Sequence, residues 1–497
     1  MPKKTANRRA SAPPPASRGR RGRLARLLVA AGVLALALAA VFLKPWHPAG
    51  GPQAPSGRSP QPVALGTLPA GTPVLFLTID TLREDHLGRS GYARETTPFL
   101  DSLAAQSVYF SRCFSQSPWT LPSMLTLISS LPPPVFGIRE GVAPIPRAGE
   151  LPAVETPEMR REAFAQAHVT LAEVLRERGY RTRGVSTNGH LIARQGFTQG
   201  FDEFDETACM WGIAECALDR ALAAIERGPR DSLFVWVHLF DPHFDQTGQP
   251  PVYLPAPGYE TLFGSDAGRS PEAAAAAAYD RKIRYTDDRL RDFFAALAER
   301  GLLDRFLVVV AADHGEEFNE KGRWGHSKAL TNTLIHVPLI VHLPGGRAGG
   351  AVVDDVVRNL DVMPTILDLL GLPAPATAEG VSLRPALEGR RLPALPVYAE
   401  TMRMGLHLLC LIDPALDRKV VMDFRSRSIE LYAFAGDLRE ADDLARRFPQ
   451  EALSLAERLR AMRDELAERA ILETAPGEMS EEELERLRSL GYLGGGG

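Results

Sequence analysis

Four places in this sequence set carboxylates, imidazoles and amides directly after a short apolar run. Asp80-Thr81 follows residues 74–79, Asn188-Gly189-His190 follows 184–187, Asp241-Pro242-His243 comes just after 232–239, and Asp313-His314-Gly315-Glu316-Glu317 follows 306–312. A fifth place offers a hydroxyl. Thr120 opens Trp119-Thr120-Leu121-Pro122-Ser123-Met124, where the extended run at 108–110 gives way to an apolar helix over 121–130 with proline in its first turn. Such a helix start presents unpaired N–H groups and the positive end of a dipole, both favourable to an anion. A threonine oxygen there can bind a metal, attack a phosphorus or sulfur centre, or cap the helix. Asp80, Asp313 and His314 would supply two carboxylate oxygens and one imidazole nitrogen, a hard-to-borderline divalent-metal set that Thr120 completes.

Taken singly, each of these residues has an ordinary explanation. A strand-end aspartate is most often a helix cap or turn former, and a threonine before a helix is most often a cap. Their joint placement is what chance rarely produces, because carboxylates and imidazoles converging on one rim are unfavourable without a cation. The remaining histidines read as structural: His168, His238, His336, His342 and His407 lie in or beside apolar segments, and His86 as a surface or turn residue. Glu316 and Glu317 read as solvated. No GxxxxGK[ST], GxGxxG or HExxH motif is present, so nucleotide-loop and zincin chemistries have nothing to rest on.

The elements that must position these groups are strands alternating with helices. Apolar runs at 74–79, 232–239 and 306–312 have the look of central parallel strands, and helical patterns fall at 170–178 and through an Ala-rich stretch to Arg300. The alternation predicts an α/β fold with a doubly wound, mostly parallel sheet, whose ligands sit outside the C-terminal strand ends. After residue 372 the texture changes. Strands at 397–400, 419–424 and 428–434, then a charged helix over 449–470, predict a smaller C-terminal α+β subdomain spanning 373–497.

The first 26 residues hold nine lysines and arginines and no acid, and residues 27–43 run apolar without a charge. Seventeen residues rise ~26 Å as a helix, close to the ~30 Å hydrocarbon core. The basic flank keeps the N-terminus cytoplasmic and places everything after Lys44 outside, in the periplasm of a bacterium. A cleaved signal peptide is the rival reading, and the long basic leader favours a retained anchor in the lipid bilayer. A Pro/Gly-rich linker (44–73) then leads to the catalytic domain (74–372). The whole chain carries −4, so without those nine cations it carries −13, and nothing calls for nucleic acid. Of the four cysteines, Cys209 and Cys216 could pair across a loop but not along a straight helix. Buried thiols explain them equally well, and the sequence leans against the bridge.

A family resemblance rests on these same residues. Residues 75–83, Ser117-Pro118-Trp119-Thr120-Leu121-Pro122-Ser123, Asp241-Pro242-His243, Asp313-His314-Gly315 and Gly325-His326-Ser327-Lys328 resemble the successive motifs of sulfatases. Glu430-Leu431-Tyr432, with Asp437, Glu440 and Leu444, is similar to their C-terminal subdomain. The resemblance implies the alkaline-phosphatase-superfamily fold and a divalent ion on Asp80, Asp313 and His314, with Thr120 at the nucleophile position. It also implies that His243 and Lys328 hold the anionic group and that one of them protonates the leaving group. Asn188 and His190 fall near a family Lys-x-His pair, with Asn in place of Lys; this makes His190 a candidate catalytic residue and Asn188, with His326, a candidate for substrate binding. Sulfatases imply Ca²⁺, while threonine branches of the superfamily suggest Mn²⁺ or Zn²⁺.

Three further positions depart from the pattern. The family nucleophile is Cys or Ser matured to formylglycine, in a motif ending in Arg; here it is Thr120, and Met124 replaces the Arg. Thr81 stands where many sulfatases carry a second ligating Asp. Threonine cannot give the aldehyde, so no formylglycine is expected and phosphoester chemistry becomes the easier route. Three readings follow: a membrane-anchored hydrolase of sulfate or phosphate esters, an envelope phosphotransferase acting on glycan or lipid, or a binding protein that kept the fold.

Overall fold

In the computed structural model of the protein, the apolar runs become strands of one nine-stranded sheet. They are β1 (Val74–Ile79), β2 (Val108–Phe114), β3 (Arg181–Ser186), β4 (Glu203–Asp205), β5 (Leu233–Leu239), β6 (Leu307–Ala312), β7 (His336–His342), β8 (Ala351–Val353) and β9 (Val357–Arg358). The order is β8-β2-β7-β6-β1-β5-β3-β4, with β9 also on β2. All pairs are parallel except those of β7, which runs against both its neighbours. Every residue of β1, β5 and β6 is buried, so both faces of the central sheet are covered, as the unbroken apolar runs require.

Register explains the convergence. Ile79 lies level with Leu239 on one side and with Ala312 on the other, so β1, β5 and β6 end together. The residues that follow each strand therefore share one rim. The described residues are 64–138, 162–207, 209, 213–403, 405–471 and 473–474. The basic leader, the apolar run at 27–43, most of the linker, most of the loop at 137–160 and the glycine tail lie outside them. Among the described residues, no helix is long and apolar enough to cross a membrane.

Helices connect the strands of the larger domain. Helix α1 (Thr120–Ser129) is buried along its whole length, consistent with apolar residues on every side. Its interior hydroxyls bond back to the previous turn, Thr126 to Pro122 O at 3.0 Å and Ser129 to Leu125 O at 2.6 Å. Helix α2 (Leu171–Glu177) starts from a capping box between Thr170 and Glu173. Helices α3 (Ala214–Arg227) and α4 (Pro271–Glu299) follow. Cys209 and Cys216 form a disulfide, against the sequence expectation. Cys209 sits in a turn before α3 and Cys216 in its first turn, so the bridge crosses a bend, with Cα atoms 5.8 Å apart. Cys113 and Cys410 are buried free thiols.

The C-terminal unit is an antiparallel meander of β10 (Val397–Arg403), β11 (Leu406–Asp413), β12 (Arg418–Asp423) and β13 (Ile429–Ala433), with helix α5 (Pro449–Glu468). Sequence reading found three of these strands and missed β11. Its two faces are both apolar, which hides the alternation that marks a strand. Leu409 and Leu411 cluster with Leu455 and Leu459 of α5, while Cys410 and Ile412 cluster with Leu330, Leu334 and Ile335 of the larger domain. That second face seats the subdomain beside the rim.

Candidate active site

Asp80, Asp313 and His314 come together at the rim, fully buried, with one ligand atom from each lying within 4.8 Å of the others. Each carboxylate is half satisfied. Oδ2 of Asp80 accepts from Nδ2 of Asn188 at 2.6 Å and faces Nε2 of His238 at 3.3 Å. Oδ1 of Asp313 accepts from the backbone N–H groups of Thr81 (3.1 Å) and His314 (2.8 Å). The remaining oxygens, Asp80 Oδ1 and Asp313 Oδ2, have no hydrogen-bond partner. Both face Nε2 of His314, at 3.6 and 3.5 Å.

Nδ1 of His314 donates to the Gly315 carbonyl at 2.9 Å, which leaves Nε2 as the ring nitrogen facing those oxygens. A proton on Nε2 would satisfy neither oxygen well at such distances. Three acceptors around one point, with no donor between them, fit a divalent cation. Burial would raise the Asp80 carboxyl, but the His238 hydrogen bond and the neighbouring His243 and His314 hold it below its ordinary value. Burial and the charge of Asp80 push Asp313 up to about 6.

Local backbone holds this arrangement. Thr81 adopts a left-handed φ of 56°, costly for a β-branched residue. Its N–H is bound by Asp313, and its carbonyl accepts from the Tyr279 hydroxyl at 2.6 Å. Gly315 is required by close approach: a Cβ there would lie 2.0 Å from the Thr333 carbonyl.

Thr120 is the first residue of α1, after the N-cap Trp119. Its Oγ1 lies 3.3 Å from Nε2 of His314. One turn on, Ser123 donates to the Asp313 carbonyl at 2.5 Å and ties the helix to the cluster. The other expected residues are placed unequally. His243 is buried, its Nδ1 donating to Phe244 O at 2.6 Å, and burial lowers it to about 4. His326 packs 4.6 Å from the His314 ring and 4.9 Å from the His243 ring. His190 is buried edge-on to Trp119. Asn188 donates to Asp80 through Nδ2 at 2.6 Å and accepts from the His190 N–H through Oδ1 at 2.9 Å. Lys328 is exposed at the rim, close enough to depress His326 electrostatically.

A sequence model of the sulfatase family matches residues 72–372, more than half of the chain. The chain belongs to the sulfatase family. This sulfatase is 26% identical to arylsulfatase A of Homo sapiens over 369 residues, 66% of this chain and 70% of that one. Its fold is similar to that of phosphonate monoester hydrolase of Agrobacterium radiobacter (TM-score 0.61, 19% identity, 83% and 98% of the two chains). It is similar again to a protein solved with its substrate D-glucosamine-2-N,6-O-disulfate (TM-score 0.62, 16% identity, 79% and 98%). The chain is thus a hydrolase of the sulfatase family.

Several residues near the site escaped sequence reading. His238, taken as structural, contacts Asp80. Glu316 and Glu317 are buried, not solvated; Glu316 Oε1 lies 3.2 Å from Nδ1 of His326, and Glu317 pairs with Arg323. His86 is buried against Asp280 at 2.7 Å instead of lying on the surface. Arg403, from β10, stacks its guanidinium 4.6 Å over Trp119 and donates to Ser327 Oγ at 2.6 Å. Only tertiary register reveals these contacts, since each partner lies on a different element.

Proposed function

We propose that this sulfatase-family hydrolase cleaves phosphate esters in preference to sulfate esters, with Thr120 as nucleophile. The observation that carries the reading is the Thr120 hydroxyl beside His314 at the mouth of the Asp80–Asp313 cluster. A divalent ion on Asp80, Asp313 and His314 would lower the pKa of that hydroxyl and offset charge on the ester. The chain's own residues supply the rest. Oγ1 of Thr120 bonds to phosphorus as the P–O bond to the alcohol breaks; water then attacks phosphorus, breaks the P–Oγ1 bond and returns the hydroxyl. His243 and His326, both shifted toward the neutral form by burial, are the imidazoles available to take the Thr120 proton and pass it to the leaving oxygen. Lys328 draws the anion to the rim.

The choice of phosphorus over sulfur follows from the nucleophile. A sulfated threonine has no hydrate to collapse and must be attacked at sulfur, whereas a phosphothreonine is open to water. The fold shared with a phosphonate monoester hydrolase supports this reading. Turnover of aryl phosphate mono- and diesters and aryl sulfate, measured with Ca²⁺, Mn²⁺ and Zn²⁺, tests it together with mass spectrometry for phosphate on Thr120. Faster turnover of the aryl sulfate would overturn it. The basic leader and the apolar run at 27–43 support anchoring in a membrane with the catalytic domain outside the cytoplasm. Release of activity from the membrane fraction by salt alone would count against that.

A further inference from the structure

A chain of hydrogen bonds runs along one sheet face into Asp80. Alternation puts Thr78 and Asp80 on the same side of β1 and its continuation, and Trp236 and His238 on one side of β5. Register sets Thr78 level with His238. All four side chains are buried, so each polar atom must find its partner inside the protein.

Hydrogen-bond direction can be followed from one end. The indole Nε1–H of Trp236 can only donate, and it donates to Thr78 Oγ1 at 3.0 Å. The Thr78 hydroxyl hydrogen then has two acceptors in reach, Nδ1 of His238 at 2.9 Å and the Val237 carbonyl at 3.4 Å. The nearer is His238. With Nδ1 accepting, the ring proton sits on Nε2, which faces Asp80 Oδ2 at 3.3 Å. Together with Asn188, this gives Oδ2 two donors and leaves Oδ1 with none.

We propose that Trp236, Thr78 and His238 form a positioning relay. It holds the Asp80 carboxylate with Oδ2 satisfied and Oδ1 open toward the cation, so Thr78 sets divalent-ion affinity without touching the ion. Without the Thr78 hydroxyl, Nδ1 loses its donor, the ring proton is free to move there, and Nε2 turns a lone pair on Asp80. Metal sites commonly depend on outer partners of this kind for ~10–100-fold in affinity. The proposal rests on Asp80 being a metal ligand.

The test titrates chelator-stripped full-length protein with Ca²⁺, Mn²⁺ and Zn²⁺ by calorimetry and follows metal-free thermal unfolding. Thr78→Val keeps the shape and removes the hydroxyl; it should weaken the best-bound ion by ~10–100-fold. Because it leaves the buried Trp236 Nε1–H without its acceptor, it should also lower the metal-free unfolding temperature, which the unfolding arm reads separately from affinity. Thr78→Ser keeps the hydroxyl and should recover most of the affinity. Wild-type affinity in Thr78→Val, or weaker binding by Thr78→Ser than by Thr78→Val, overturns the relay, because packing alone favours valine. Should Thr78→Val not fold, His238→Gln, whose amide donates unaided, must bind the ion better than His238→Phe; equal binding overturns the relay. A wild-type protein with no affinity for any of the three ions overturns the metal reading and the relay together.

Discussion

The hydroxyl of Thr120, the first residue of its helix, stands 3.3 Å from Nε2 of His314. The helix cap is Trp119, so Thr120 lies one residue past the position where a threonine hydroxyl stabilises a helix start by about 1 kcal/mol. Its oxygen instead lies beside acceptors that themselves fit a cation. A hydroxyl placed that way is poised to ligate and to attack.

Thr120→Ala should lower kcat/KM on an aryl phosphate by at least ~10³-fold, the scale expected when a nucleophile is removed. Thr120→Ser should keep far more activity than Thr120→Val, although valine is the closer match in shape. Steady-state kinetics of the three variants decide the point. Activity in Thr120→Ala near that of the parent would remove Thr120 from the chemistry.

Much of this site was legible in sequence because its ligands follow immediately on strands that announce themselves. Asp80, Asp313 and His314 each lie within two residues of a fully buried apolar run, and parallel register brings such ends to one rim. His238 was not legible for the same reason: it lies inside such a run, and its partner Thr78 is 160 residues away. Glu316 looked solvated because charged pairs usually are, yet a small hairpin of Glu317–Phe318 with Trp324–Gly325 folds it under His326. Helix, strand and rim came from local pattern. The hydrogen bonds that orient the ligands came from register alone.

A buried acid away from the rim should give the protein a pH signature. Burial pushes Glu84 from 4.5 up to about 8, against hydrogen bonds from Tyr109 and Ser90. The folded state therefore keeps a proton that the unfolded chain releases. Stability from this group is complete below pH 4.5 and falls by about 1.4 kcal/mol per unit as pH rises toward 8. Glu84→Gln keeps an acceptor for both hydroxyls and removes the titration. Denaturant unfolding from pH 5 to 8 should show the variant gaining on the parent as pH rises. A constant difference across that range would refute the shift.

Lys328 is exposed, so its contribution should be electrostatic and screened. Lys328→Ala should raise KM for an anionic ester several-fold and flatten its dependence on ionic strength, with a smaller effect on kcat. Lys328→Arg should keep most of the salt dependence. If salt acts equally on parent and alanine variant, the lysine does not guide the substrate.

Asp313→Asn separates the metal site from the fold that carries it. In the metal-free protein two buried carboxylates face each other across His314, each with an oxygen that lacks a partner. Asparagine would still accept from the N–H groups of Thr81 and His314 through Oδ1. Removing a buried like charge should make the metal-free variant more stable than the metal-free parent by about 1–3 kcal/mol. The order should reverse with saturating metal, because an ion at a thousand times its Kd adds about 4.1 kcal/mol to the protein that binds it. Thermal unfolding of both proteins, stripped and then supplied with each divalent ion, reads the two effects separately. A variant that gains as much from the ion as the parent does would place the metal elsewhere.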